Sequence, residues 1–214
     1  MAPLSTGIAK AFGFSAASGA APVPPFSATG GDVNTPGNGY KYHTFTYPNS
    51  DNFVVSSVGD GPAEIEVLVV AGGGGGGNGG GQGGGGGGAG GIRNFTVALT
   101  VAGTYPIGVG TGGEAGSYDT NKIWMKGKDS EFNNPGGNGI PKIVATGGGA
   151  AGTYGGPSLS DRKAGTPGGS GGGAGSFPDN YHVSRGGTVA SPDGRSPTVQ
   201  GYDGGIQVPS GLNK

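Results

Sequence analysis

A tract of almost uninterrupted glycine occupies residues 72–91, and it restricts the folds open to this chain more than any other feature. It reads GGGGGGNGGGQGGGGGGAGG, with 17 glycines in 20 positions. Because glycine loses more backbone entropy on ordering than any other residue, a flexible linker is one interpretation. However, strand-like runs flank the tract at 64–71 and 92–101, and a long disordered loop between two strands of one domain is uncommon.

The second interpretation is a set of packed polyproline-II helices. Such a helix has three residues per turn and no internal hydrogen bonds, so its N–H and C=O groups need partners outside it. Where all faces are glycine, neighbouring helices can approach closely and bond laterally. The exceptions Asn78, Gln82 and Ala89 fall in different phases of a three-residue turn. This predicts that no single face of the tract is reserved for side chains. Ordered glycine helices are favoured, and the linker remains the alternative.

The composition argues against several classes of protein. Glycine contributes 56 of the 214 residues and proline 16, but without a strict Gly-X-Y period, which excludes collagen. The formal net charge is −1, so binding to nucleic acid or to an anionic membrane is not expected. Cysteine is absent, which excludes disulfides and Cys-ligated zinc. No apolar run is long enough to span a membrane, and the N-terminus does not resemble a signal peptide.

Short β-strands separated by turns are predicted after residue 39. Alternating or apolar runs predict strands at 40–47, 52–58, 64–71, 92–101, 103–110 and 142–146, with a short one at 131–132 inside an otherwise polar, loop-like stretch at 111–139. The apolar run 67–71 is expected to enter a core. Two strands, ending near Val70 and Ala145, run directly into glycine. We therefore predict an all-β fold, in which the strands of a β-sandwich-like body lead into a glycine-rich polyproline-II helical layer.

The first 39 residues differ in composition from the rest. Residues 1–14 carry the apolar side chains Leu4, Ile8, Phe12 and Phe14. They form either a frayed terminus or a peptide that docks onto a partner. Residues 15–39 are rich in proline, glycine and alanine and are predicted to be a tether. Residues 40–214 are predicted to form the glycine-rich β and polyproline-II domain.

Catalytic motifs are not convincing anywhere in the chain. The stretch GVGTGG at 108–113 resembles a nucleotide-binding motif, and GGSGG at 168–172 resembles a nucleophile elbow. Both motifs need a following helix, which the sequence does not indicate. The histidines, His43 and His182, are far apart in sequence, so a metal site is not expected. We expect no enzymatic activity, no cofactor and no metal.

Aromatic residues in glycine-rich loops are the better candidates for contacts with a receptor. Large rings flanked by small residues supply contact area at low entropy cost. The alternative is that each ring covers glycine backbone and shields it from water. The candidates are Tyr118, Trp124, Tyr154, Phe177, Tyr181 and Tyr202.

Several stretches occur in an order that resembles a known type of domain. The junctions VLVVAGGGGGG (67–77) and VATGGG (144–149), followed by GGSGGGAG (168–175) and SPTVQGYDGG (196–205), are similar to the glycine-rich domain of tailed-phage virion proteins. The resemblance covers about 40–205 and is greatest to tail-fibre-like proteins of phages that infect cyanobacteria. In T-even-type fibre-tip adhesins, glycine-rich segments form a sandwich of polyproline-II helices, and the loops between them bind the host surface. Related sequences usually continue into a further glycine run beyond a segment like GGIQVPSG, whereas this chain stops at Lys214. The resemblance therefore gives weaker support to a position at the fibre tip and to a complete glycine layer.

The resemblance implies a virion protein of tail-fibre or adhesin type that takes part in host attachment. A capsid or tail decoration protein with a purely structural role is the alternative, and an ice-binding glycine-helix protein is a weaker one. The expected partners are other virion proteins, with a host cell-surface receptor and a homo-oligomer such as a trimer as further candidates. The expected location is the virion, assembled in the host cytoplasm, with no insertion into a membrane.

Overall fold

The computed structural model describes residues 22–48, 51–78, 83–116, 125–153, 164–175 and 201–205. In this part of the chain the strands pair antiparallel, which confirms the predicted all-β fold. The strands are β1 (Ser27–Thr29), β2 (Asp32–Asn34), β3 (Tyr42–Thr44), β4 (Asn52–Ser57), β5 (Ala63–Val70), β6 (Ile92–Leu99), β7 (Gly103–Gly108), β8 (Ser130–Gly137) and β9 (Ile140–Ala145).

A five-stranded sheet and a two-stranded ribbon enclose the hydrophobic core. The sheet has the order β1-β4-β7-β8-β9, and the ribbon pairs β5 with β6. Side chains alternate across a strand, so each contributes every second residue to the core. The sheet supplies Phe53, Val55, Tyr105, Phe132 and Ile143, while the ribbon supplies Val69, Val97 and Leu99. The Tyr105 and Phe132 rings stack with centroids 6.1 Å apart.

The outer face of the β5–β6 ribbon is apolar at its glycine end. Leu68 is 65% exposed, Val70 is 50% exposed, and Ile92, which lies opposite Val70, is 55% exposed. The prediction that residues 67–71 run into a core was therefore wrong for every second residue, because nothing in the described part of the chain covers this face of the ribbon. We call Leu68, Val70 and Ile92 the ribbon patch.

Two further sequence predictions need correction. The stretch 15–39 was predicted to be a tether, but β1 and β2 lie within it and pair with β4 and β3, respectively. The loop predicted at 111–139 contains the whole of β8, which pairs with β9. There the buried Asn133 adopts a φ of 58° and donates from Nδ2 to the Gly137 and Ile140 carbonyls. The polar composition had indicated a loop with only a short strand at 131–132, whereas asparagine here supports a longer, bulged strand pair.

Glycine-rich segments extend from the strands as a second structural layer. We number those in the described residues g1 (71–78), g2 (83–91), g3 (109–116), g4 (126–129), g5 (146–153), g6 (170–175) and g7 (201–205). None of their glycines has a positive φ. Segments g1, g3 and g5 begin directly after β5, β7 and β9, while g2 and g4 lead back into β6 and β8.

Hydrogen bonds join neighbouring segments at every third residue. From g1, the N–H groups of Ala71, Gly74 and Gly77 donate to the carbonyls of Gly91, Gly88 and Gly85 in g2. The N–H groups of Gly113 and Gly116 in g3 donate to Gly73 and Gly76, and those of Gly148 and Ala151 in g5 donate to Gly72 and Gly75. Extended segments with three residues per turn and only lateral bonds are polyproline-II helices. The tract is therefore packed, as the favoured interpretation predicted.

Segment g2 has two phases of the three-residue turn that exclude side chains and one that tolerates them. In g2, a Cβ at Gly87 or Gly90 would meet the g1 backbone closer than 3.0 Å, and one at Gly88 would meet g6. A Cβ at Gly86 would have nothing within 4 Å, and Ala89 occupies this same phase. The prediction that no face is reserved for side chains was therefore wrong for g2. Segments g1 and g2 run in opposite directions. The position of a residue within the three-residue turn must therefore be counted separately in each segment.

Candidate functional site

The candidate site is the end of the glycine layer that lies away from the sandwich. Hydrogen bonds between g1 and g3 and between g1 and g5 join residues in the same chain order, so these segments run parallel and away from their strands. Segments g2 and g4 return antiparallel to g1. The ends of g1, g3 and g5 therefore lie together, on the side of the layer away from the sandwich.

Contacts at Gly116 show this convergence directly. A Cβ added there would lie 2.7 Å from Met125 Cε, 3.0 Å from Thr153 Cγ2 and 3.1 Å from the Asn78 nitrogen. These residues lie at the ends of g1, g3 and g5 and just before g4. Met125 is fully buried and packs with Ala150 and Ala151 in a small second core. The ends of g1, g3 and g5 therefore pack against one another and against Met125. We call this packed end of the layer the platform.

Four predicted aromatic candidates are neighbours in sequence of this platform. Trp124 is bonded to Met125, Tyr154 is bonded to Thr153, Tyr118 follows Gly116 by two residues, and Phe177 follows Gly175 by two. A Cβ at Gly175 would lie 3.0 Å from the Gly152 oxygen, which places the end of g6 beside that of g5. These four candidates and Tyr181 themselves lie outside the described residues, as do Leu4, Ile8, Phe12 and Phe14 of the predicted docking peptide.

Tyr202 is the predicted candidate that falls within the described residues, and its ring is 86% exposed. Its backbone is anchored, since its carbonyl accepts from the Gly171 N–H at 2.9 Å and its N–H donates to Ser170 Oγ at 3.3 Å. Gly171 lies four residues before the end of g6, which is about 12 Å at the polyproline-II rise. Tyr202 is thus exposed, as a contact residue must be, but it is set back from the platform.

Exposed aromatic residues on the β2–β3 ribbon are a second feature that the sequence reasoning missed as a site. Tyr40 is 60% exposed and Tyr42 is 47% exposed, with ring centroids 6.3 Å apart. The alternation of tyrosine with Lys41 and His43 was the signal that could have identified them, because it places both rings on one face of a strand.

The described residues have few features of a catalytic or metal centre. They include no group of three His, Cys, Asp or Glu side chains that could hold a metal ion. The Lys142 ammonium and the Glu131 carboxylate form an ion pair at 3.0 Å, across the β8–β9 pair. Burial raises the pKa of the Tyr105 hydroxyl, which donates to the Val101 carbonyl inside the sandwich. Where the structure describes the chain, no helix is long and apolar enough to cross a membrane.

Fold and layer together define a class: all-β proteins in which a sandwich carries a bundle of glycine polyproline-II helices. In a comparison with protein families, the glycine-rich domain family matches residues 49–213. The chain therefore belongs to this family. Neither the curated proteins nor the solved structures include one that matches it.

Proposed function

We propose that this chain is a phage virion protein of tail-fibre or adhesin type, and that it attaches to the host surface through loops at the far end of the glycine layer. The observation that carries the proposal is the convergence at Gly116, because it joins segments whose next residues in sequence include four aromatic candidates. Binding residues are disproportionately found on loops that a rigid scaffold positions. The resemblance to phage virion proteins implies that the chain is carried on a phage particle and that its target is the host surface.

Backbone hydrogen bonds make the glycine layer a suitable scaffold. Residues 147–153 of g5 are all buried, and g5 bonds to g1, g2 and g6. Because these bonds join backbone to backbone, substitutions in the connecting loops leave the layer's own bonds intact. Under this proposal the chain is not an enzyme and needs no cofactor, and the loops at the platform provide recognition.

A structural role as a capsid or tail decoration component is the second candidate, and the ribbon patch favours it. Leu68, Val70 and Ile92 form a contiguous apolar surface on a two-stranded ribbon, and apolar side chains grouped on a surface often mark contacts with another protein. Other virion proteins or further copies of the chain would cover the patch. In this role residues 1–14 would also dock the chain onto the particle through Leu4, Ile8, Phe12 and Phe14.

Particles that carry variant chains separate the two functions. Under the attachment proposal, Trp124→Ala lowers adsorption of particles to host cells about tenfold or more, because buried aromatic anchors dominate many interfaces. Tyr47→Ala is the control, since Tyr47 is 61% exposed and lies on the sandwich side of the molecule. Incorporation of the chain into particles is measured in parallel by quantitative mass spectrometry.

The possible outcomes distinguish the attachment function from the structural role. Normal incorporation with reduced adsorption supports attachment. If adsorption is unchanged after alanine replaces all four aromatic candidates near the platform, the attachment proposal is refuted. If Leu68→Ser removes the chain from particles while Trp124→Ala has no effect, the structural role is favoured. Deletion of residues 1–14 should prevent incorporation under either function.

A further inference from the structure

The β2–β3 ribbon presents an outward face with a mixture of aromatic and polar side chains. The pairing sets Asp32 opposite Thr44 and Asn34 opposite Tyr42, and all four residues are exposed. Tyr40 extends the same face by two residues. Nothing packs against this face in the described part of the chain, and a Cβ at Gly37 or Gly39 would find nothing within 4 Å.

The Asn38 side chain restrains the Tyr42 ring and the backbone of Tyr40. Asn38 Oδ1 accepts a hydrogen bond from the Tyr40 N–H at 3.1 Å, and Asn38 Nδ2 donates to Tyr42 Oη at 3.0 Å. The two rings lie with an interplanar angle of 39°. An exposed side chain without such restraint loses rotamer freedom when it binds, so the bond to Asn38 removes part of that cost for Tyr42 in advance.

The opposite face of the ribbon is anchored to the sandwich. His43 alternates with Tyr42 and points inward, where its ring meets the core residue Phe53 edge-on at 5.2 Å. Its Nδ1 lies 2.8 Å from the Gly30 carbonyl oxygen. The aromatic face therefore rests on the core through its own strand and does not depend on the glycine layer.

We propose that this face is a binding site for a neutral saccharide. A pyranose ring offers an apolar C–H face that packs on the negative face of an aromatic ring, together with hydroxyls that need donors and acceptors. Tyr40 and Tyr42 supply the rings. Asp32, Asn34 and the Tyr42 hydroxyl supply hydrogen-bonding groups at the edge. Lys41 alternates to the other face, so a carboxylate and not a cation borders the site, which disfavours acidic sugars.

This site shares no residue with the loops of the proposed function, and the inference does not depend on them. The experiment uses the purified full chain on a glycan array that contains neutral, N-acetylated and acidic saccharides. Calorimetric titration of the strongest neutral hit then compares the wild type with Tyr40→Ala, Tyr42→Ala and Asn38→Ala. Tyr47→Ala is the matched control, because it removes an equally exposed tyrosine outside the face.

We expect a neutral saccharide to bind the wild type and Tyr47→Ala equally. Each of Tyr40→Ala and Tyr42→Ala should weaken binding about tenfold or more, and Asn38→Ala about three- to tenfold through lost preorganisation. Melting temperatures should not change, since these rings are exposed. The proposal is overturned if no saccharide binds, if only acidic saccharides bind, or if Tyr42→Ala binds as well as the wild type. It is also overturned if the face binds a protein partner and no saccharide. Particle adsorption is not part of this readout, so the attachment proposal stands or fails separately.

Discussion

Alanine substitutions at two glycines of g2, Gly86 and Gly88, provide the sharpest test of the packed layer. A Cβ at Gly88 would lie 2.8 Å from the Gly171 oxygen and closer still to the Ser170 oxygen, both of which are backbone atoms. A Cβ at Gly86 would have nothing within 4 Å. Neither glycine has a positive φ, so alanine is compatible with the backbone conformation at both positions. The two substitutions therefore differ only in what surrounds the added methyl group.

The magnitude follows from what must move. To accept a methyl group at Gly88, g6 must separate from g2, which weakens the bonds from Ser170 N–H to Ala89 and from Gly173 N–H to Gly86. Each costs about 1 kcal/mol net, and overpacking adds about 1–3 kcal/mol. We expect Gly88→Ala to lower the free energy of unfolding by about 3–5 kcal/mol. Gly86→Ala should raise it by about 0.4–1 kcal/mol, because alanine restricts the unfolded chain.

Thermal and urea unfolding followed by circular dichroism measure both variants. A loss of this size lowers the melting temperature of a 150–250-residue protein by roughly 6–20 °C. Equal melting of Gly86→Ala and Gly88→Ala would refute the argument, since a flexible tract does not distinguish the two positions. A loss confined to Gly86→Ala would refute the assigned phases.

Three further predictions concern the sandwich. Asn133→Ala should cost about 1–3 kcal/mol in urea unfolding, because it removes the donor to the buried Ile140 carbonyl. Asn138→Ala also changes an asparagine of positive φ, but Asn138 is only half-buried and its bond to the Thr104 carbonyl is exposed, so this substitution should cost less. Burial raises the pKa of Tyr105, so the unfolded chain loses this proton first and stability should fall as pH rises above about 10. Tyr105→Phe should show a shallower decline in the same pH scan, and an identical slope would contradict the assignment. Leu68→Ser should change stability by less than about 0.5 kcal/mol, because Leu68 is exposed.

Much of the sandwich could be predicted because its strands alternate in hydrophobicity. The approximate positions of β4 to β7 and β9 followed from this pattern. Strands β1 and β2 could not be found in the same way, since three residues such as Ser27–Thr29 give no period to recognise. The exposure of Leu68 also depends on tertiary structure, because an apolar run does not reveal whether one face or both faces of a strand are covered.

The glycine layer was predictable as a type of structure but not in its detail. A glycine tract between two strands indicated lateral packing, but its two phases become visible only once the reversal after Asn78 is located. The convergence at Gly116 likewise needs the parallel course of g1, g3 and g5, which is a property of the sheet connections. Sequence reasoning could identify Trp124 and Tyr154 as candidates, but it gave no reason for their described neighbours Met125 and Thr153 to lie together.

The layer separates the residues that must remain glycine from those that are free to vary. Positions such as Gly88 and Gly148 face neighbouring backbone, so any side chain there forces helices apart. The bonds that join g1 to g2, g3 and g5 lie within the segments and join backbone groups. Under the attachment proposal, substitutions in the residues that connect these segments should therefore have little effect on the free energy of unfolding. A scaffold with this property suits a surface that must match a changing partner, which is the physical reason to favour attachment over a purely structural role.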